Sequence, residues 1–234
     1  MADDVSLDDV LASAVRLQEL VPDAVLVGET AAALHAHHRV SFDHDHVLAD
    51  LAERYAETLE AVQASAGWVT SVRASTPPLT LLGSLDGIEA GLRQLRRTRP
   101  LEVTELEVPG GARVRVPTVE EMLRVKAYLI VQRNVARDYL DTVALADRIG
   151  AEGAVDVLGG IDSYYTDRSG EPDSVLTTLV LRLSEPNPRD TRVTRQLANY
   201  RGLDPRWHDW AAVTAYCAAL ADALVARLEP GARP

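Results

Sequence analysis

The sequence predicts an α/β (α+β) protein with a mixed front half and a helical back half. Three observations carry that expectation. Short apolar runs bounded by glycine and proline recur between Val25 and Val116. Helical spacing of apolar residues dominates from Thr118 onward. The chain has 234 residues, 47% of them hydrophobic and 25% charged, the make-up of an ordinary globular protein with one substantial core or two small ones. The change of pattern near Pro117 divides it into an α/β part, residues 1–117, and a mainly helical part, residues 118–234.

Taken in order, Ser6 with Asp9 resembles a helix start, and apolar positions repeat at helical spacing to Leu20, where Pro22 and Asp23 intervene. Val25-Leu26-Val27 reads as a buried strand turning at Gly28, and Thr30 to His37 as an alanine-rich helix. Val40 to Leu48 alternates. Extended, it puts Phe42, His44 and His46 on one side and Ser41, Asp43 and Asp45 on the other. Leu48, Leu51, Tyr55, Leu59 and Val62 predict a further helix. Strands are expected at Trp68–Val72, Leu79–Leu82, Leu101–Val108 and Arg113–Val116, the last two forming a hairpin through Pro109-Gly110-Gly111, with a short helix at Ile88–Arg97. Thr118 and Glu121 form a capping-box pattern ahead of the next helix, and another runs from Val135 to Ile149 before Gly150. A loop follows around Gly159–Pro172, and helical spacing returns near Val175 and at Trp210–Leu228.

Charge and cysteine usage narrow the function classes. A net charge of -11 disfavours nonspecific coating of nucleic acid, which depends on neutralising phosphates. Two arginine groups could still face RNA: Arg93, Arg96, Arg97 and Arg99, and Arg182, Arg189, Arg192, Arg195, Arg201 and Arg206. Solvated faces and salt bridges account for most such runs. Cys217 alone excludes an internal disulfide. The acidic Met1-Ala2-Asp3-Asp4 lacks the pattern of a secretory signal, and no apolar run is expected to approach membrane-spanning length. A cytoplasmic protein without a membrane partner is the expectation.

Of 24 cationic side chains all but Lys126 are arginine. On a helix, Met122, Lys126, Leu129, Ile130 and Arg133 share one face. A compact ammonium suits a phosphate where a planar guanidinium does not. The competing reading is an amphipathic lysine whose stem crosses the apolar stripe.

Asp43 and Asp45 put two carboxylates on one face of a strand, a common way to bind magnesium through hard oxygen ligands. A solvent-facing acidic edge shows the same pattern. The neighbouring strand, Gly28 and helix form a geometry that can present backbone N–H groups to phosphate. Five histidines, His35, His37, His38, His44 and His46, raise the alternative of zinc, but alternation turns His44 and His46 away from the aspartates.

Gly28, Thr30, His37, Arg39, Ser41, Asp43 and Asp45 resemble the opening motif of AbiEii-type, MenT-like nucleotidyltransferase toxins. Lys126 resembles that family's helical lysine, and Arg137-Asp138-Tyr139-Leu140-Asp141 its Arg-Asp-x-x-Asp signature. The motifs occur in order over about half of the chain. The resemblance implies a polymerase-β-like nucleotidyltransferase core with a mixed sheet, followed by a helical C-terminal part completing an active-site cleft. It implies Mg²⁺ on Asp43 and Asp45, and catalytic roles for these two, Lys126 and Asp138, with Asp141 an alternative to Asp138. Nucleotide binding would involve Gly28, Thr30, Arg39, Ser41, Lys126, Arg133 and Arg137. The implied partners are a nucleoside triphosphate, the 3′ end of a tRNA as acceptor and a cognate antitoxin. An aminoglycoside-type small molecule or a protein side chain would use the same chemistry.

Two positions depart from the pattern. Glu29 stands where a second small residue is usual, so activity requires it to turn from the phosphates or pair with a cation such as Arg39. A third metal-binding carboxylate has no clean match, and Asp86 is the candidate. Both departures motivate the rival reading, a non-catalytic member that binds a nucleotide or a partner protein.

Overall fold

The computed structural model describes residues 5–166, 174–200 and 202–228. Met1 to Asp4, residues 167–173, which include part of the Gly159–Pro172 loop, Arg201 and residues 229–234 lie outside them. The chain divides into two compact units, residues 1–34 with 40–118 and residues 35–39 with 119–234.

In the first unit, α1 (Leu7–Leu20) starts at a capping box in which the Ser6 and Asp9 side chains each accept from the other's backbone N–H. It leads through β1 (Val25–Val27) into α2 (Gly28–Ala36), and β2 (Asp43–Leu48) follows. Helix α3 (Tyr55–Gln63) precedes β3 (Trp68–Thr70), β4 (Thr80–Leu85) and β5 (Ile88–Gln94). The sheet order is β1-β2-β5-β4-β3, with β2 and β5 parallel and the other pairs antiparallel, so the sheet is mixed. A separate hairpin joins β6 (Val103–Glu107) to β7 (Arg113–Pro117) at the expected glycines. The Gln18 amide fastens α1 to β7 by exchanging bonds with the Arg115 backbone at 2.8 and 2.9 Å.

Leu17, Val21, Leu48, Leu51, Val62, Trp68, Leu81, Leu85 and Leu92 form the core on one sheet face. Alternation along β2 sends His44, His46 and Leu48 inward and leaves the aspartates on the opposite face.

The expected helix at Ile88–Arg97 is instead β5. Ile88, Ala90 and Leu92 alternate into the core, and pairing with β2 on one side and β4 on the other overrides the helix preference of Glu89, Arg93 and Gln94. Asp86 and Gly87, with φ of 53° and 84°, make the two-residue turn joining β4 to β5. Helix α3 starts at Tyr55, later than its apolar spacing suggests, because Leu48 belongs to β2.

In the second unit, α4 (Val119–Arg133) and α5 (Ala136–Ile149) meet at Asn134, which has a φ of 51°. The Tyr139 hydroxyl donates to Asn134 Oδ1 at 2.6 Å, and Asn134 Nδ2 donates to the Asn187 carbonyl at 2.8 Å. Helices α6 (Ala151–Gly159), α7 (Val175–Ser184), α8 (Thr191–Thr194) and α9 (Trp210–Leu228) complete the unit. Helix α9 is long and apolar enough to cross a membrane, which corrects the expectation that no run approaches that length. Its alanines raise the hydropathy, while Val213, Cys217, Leu220, Ala221 and Leu224 are buried where α9 packs on α5, α6 and α7.

Candidate functional site

Two constellations emerge, one in each unit. In the first, β1 ends at Gly28, whose φ of 75° and approach to Asp45 both favour glycine. A Cβ there would lie 3.6 Å from Asp45 Cβ. The Thr30 hydroxyl turns onto the Asp43 carbonyl at 2.5 Å, and Ser41 Oγ donates to Asp43 Oδ1 at 3.0 Å. Thr30 and Ser41, both expected to bind the nucleotide, thus hold Asp43 in place. Parallel pairing sets Asp43 opposite Glu89 and Asp45 opposite Gly91. A Cβ at Gly91 would overlap Asp45 Oδ1, so glycine there makes room for the carboxylate. Arg93 Nε donates to the same oxygen at 3.2 Å.

Asp43, Asp45, Glu89 and Arg93 line a cleft of about 180 Å³ together with Ser71, Ala74 and Leu82. The Asp43 carboxyl is shifted upward, first by partial desolvation and then by the charges of Asp45, Glu29 and Glu89, against the bond from Ser41. Glu29, the departure at the helix start, therefore acts electrostatically on this acidic face. Asp86 does not join it, because in the hairpin turn it pairs with Arg16. Glu89 is the carboxylate that sequence reasoning missed. The Asp86-Gly87 turn signal between two apolar runs would have placed Ile88–Gln94 on a strand and Glu89 beside Asp43.

Among the described residues no three histidine, cysteine or acidic side chains converge as a ready metal-ligand set. The donors on this face are nonetheless hard carboxylate oxygens with strained like charges, which fits magnesium completed by water and phosphate. Histidine does not contribute. His44 and His46 lie in the core with ring centroids 5.3 Å apart, and His44 Nε2 contacts Ser13 Oγ at 2.9 Å. Burial lowers the His44 pKa to about 4, while burial and then the neighbouring His44 lower that of His46 well below the ordinary value.

The second constellation centres on Asp141. Its Oδ1 accepts from His38 Nε2 and Arg39 Nε, each at 2.8 Å, and its Oδ2 from Arg39 Nη2 at 3.0 Å, while the Lys126 ammonium forms an ion pair with Oδ2 at 2.7 Å. All four residues are buried, Lys126 and Asp141 completely. Burial alone would raise the Asp141 pKa, yet Lys126, Arg39 and His38 hold it well below the usual carboxylate value. Lysine and arginine thus converge on one buried carboxylate, an arrangement that would be costly to break from either side. Asp138 is also buried and accepts both nitrogens of an Arg133 fork at 2.6 Å. Arg137 is exposed. Of the histidines, His37 is exposed with a φ of 49° just beyond α2, and its neighbour His38 is the one that turns inward.

No family model matches the chain. The heme uptake protein MmpL11 of Mycobacterium tuberculosis (strain ATCC 25618 / H37Rv) is 42% identical over 95 residues, 41% of this chain and 10% of that protein. The mycolic acid-containing lipids exporter MmpL11 of Mycolicibacterium smegmatis is 35% identical over 131 residues, 56% of this chain and 13% of the exporter. The chain spans about a tenth of the length of these relatives. Among solved structures, JHP933 from Helicobacter pylori aligns with a TM-score of 0.51 at 16% identity over 94% of this chain and 91% of its own. The antibiotic-resistance factor ANT(2'')-Ia aligns with a TM-score of 0.50 at 12% identity over 68% and 92%. A candidate nucleotidyltransferase from H. pylori gives 0.48 at 15% identity over 95% and 94%. The chain shares the fold of JHP933 and ANT(2'')-Ia and has the mixed-sheet α/β core with a helical C-terminal region that the sequence predicts.

Proposed function

We propose that the chain is a magnesium-dependent nucleotidyltransferase that moves a nucleoside monophosphate from a nucleoside triphosphate to an acceptor hydroxyl and releases pyrophosphate. The observation that carries this reading is the carboxylate face formed by Asp43, Asp45 and Glu89 beside the Gly28 helix start. Asp43 and Asp45 would hold magnesium, which when bound offsets negative charge on the reacting phosphate. Ser41 and Thr30 keep Asp43 oriented, and Glu89 is placed to take a proton from an acceptor hydroxyl. Backbone N–H groups at the start of α2 suit phosphate oxygens. In the second unit, Lys126, held by Asp141, is the cation that the AbiEii-like motifs would put against a phosphate.

The AbiEii-like motifs favour a tRNA 3′ end as acceptor and a toxin's role beside an antitoxin. The acidic cleft favours a cationic small molecule instead, because phosphate-rich RNA is repelled by the same carboxylates. Heme uptake and lipid export are named for those whole proteins, of which the shared segment is about a tenth. Incubation with each labelled nucleoside triphosphate and magnesium, offering tRNA or an aminoglycoside as acceptor, tests the reading. Label transferred by wild type and lost in Asp45→Asn supports it. Absence of both transfer and magnesium-dependent nucleotide binding refutes it and favours the non-catalytic alternative.

A further inference from the structure

We propose that His38 is a positioning residue that fixes Asp141 and thereby aims the Lys126 ammonium. Its functional consequence rests on the reading of Lys126 as a phosphate-facing cation, whereas the geometry stands without it. The left-handed His37 just beyond α2 is followed by His38 turned inward, and the Asp204 N–H holds the His38 carbonyl at 2.7 Å. Its imidazole thus enters the cluster from an anchored backbone.

An ionised carboxylate can only accept, so Nε2 of His38 carries the proton in its 2.8 Å bond to Asp141 Oδ1. Nδ1 has no hydrogen-bond partner among the described residues. A carboxylate offers about four lone-pair positions. Here His38 Nε2 and Arg39 Nε occupy Oδ1 and Arg39 Nη2 bonds Oδ2, while the Lys126 ammonium lies 2.7 Å from Oδ2 as an ion pair. Arg39 reaches both oxygens in a planar fork and cannot shift without breaking it. Lysine can, because its ammonium turns on a flexible stem. With both positions of Oδ1 filled by His38 and Arg39, Lys126 meets the carboxylate at Oδ2 alone. Among the described residues that ion pair is the one polar contact of Nζ, so its other N–H groups remain available. Removal of the imidazole opens Oδ1 and lets the ammonium move between the two oxygens.

The single lysine makes the test direct: full-length chain labelled with ¹³C,¹⁵N-lysine gives one side-chain signal, from Lys126. Wild type should give one sharp Nζ signal with slow proton exchange. His38→Ala should shift the signal and speed exchange by about tenfold, the lower end of what losing an orienting partner usually does. His38→Gln, whose amide can donate to Oδ1, should restore it, while His38→Phe, which fills space without donating, should not. If His38→Ala fails to fold, the Gln and Phe variants provide the same comparison. An unchanged Lys126 signal in the Phe variant, or restoration by Phe and not by Gln, overturns the proposal. A separate titration with magnesium and inorganic tripolyphosphate should show affinity falling about tenfold in the Phe variant and recovering in Gln. If wild type binds no tripolyphosphate, the functional reading fails while the lysine signals still decide the role of His38.

Discussion

Asp43 on β2 and Glu89 on β5 are register partners across a parallel strand pair, so their carboxylates share the open face of the sheet. That relation supplies the third acidic group beside Asp43 and Asp45, and it exists because Ile88–Gln94 is a strand. Glu89→Gln should keep the fold and lower nucleotidyl transfer by roughly a hundredfold or more, the scale of losing a group that acts on transition-state charge. Circular dichroism with a transfer assay checks it. Full activity would assign Glu89 to an ordinary solvent-facing edge.

Asp43 titrates above an unfolded carboxylate, so the folded state holds its proton more tightly. This linkage favours the fold at low pH, and the benefit is lost as pH rises through the raised folded pKa. In magnesium-free buffer, Asp43→Asn should therefore melt higher than wild type at neutral pH, with the advantage shrinking on acidification. Glu29→Gly removes one of the charges acting on Asp43 and should shift the carboxyl titration of Asp43 downward in NMR. No shift would place Glu29 outside the acidic face.

His44 contributes in the opposite pH direction. Its folded pKa of about 4 lies below the ordinary 6.5, and that of His46 is also depressed, so the unfolded chain takes up protons first on acidification. Stability from neutral His44 is present above the unfolded pKa and declines as pH falls from about 6.5 toward 4, by about 3 kcal/mol over the full span. Urea unfolding across that window should reveal the decline. A His44→Phe, His46→Leu double variant should flatten it, and an equally steep profile would assign the acid sensitivity elsewhere.

Lys126 lies wholly inside the second unit, where shape matters as much as charge. Lys126→Arg should impair activity almost as much as Lys126→Ala, because a wide fork must enter a cluster already occupied by that of Arg39. Full activity of the arginine variant would contradict this. Asp141→Asn leaves two buried cations without their carboxylate and should cost about 3–5 kcal/mol in denaturant unfolding. For the same reason the Asp141 contribution in wild type persists to low pH. It disappears only as pH falls through a pKa held well below 3.8.

Much of the architecture was legible where local signals and burial agree. The Ser6–Asp9 cap, the β1-to-Gly28 turn, the alternation of β2 and the β6–β7 hairpin all follow from short-range chemistry. Strand β5 was not, because its helix-forming residues are extended by pairing with strands distant in sequence. Missing it hid Glu89 and left Asp86, a turn residue, as the apparent third carboxylate. His38 was hidden differently. Which of two adjacent histidines turns inward depends on the backbone at His37, and side-chain spacing does not encode that bend. Lys126 was conspicuous as the single lysine, but its pairing with Asp141 depends on how α4 and α5 pack about Asn134.

The most direct test of the central claim is isothermal titration of wild type and Asp45→Asn with each nucleoside triphosphate, in magnesium and again in chelator. The account predicts wild-type binding at least about tenfold tighter with magnesium for one or more nucleotides, and little magnesium dependence in the mutant. Equal wild-type affinities with and without magnesium, or an unchanged magnesium effect in Asp45→Asn, would contradict it.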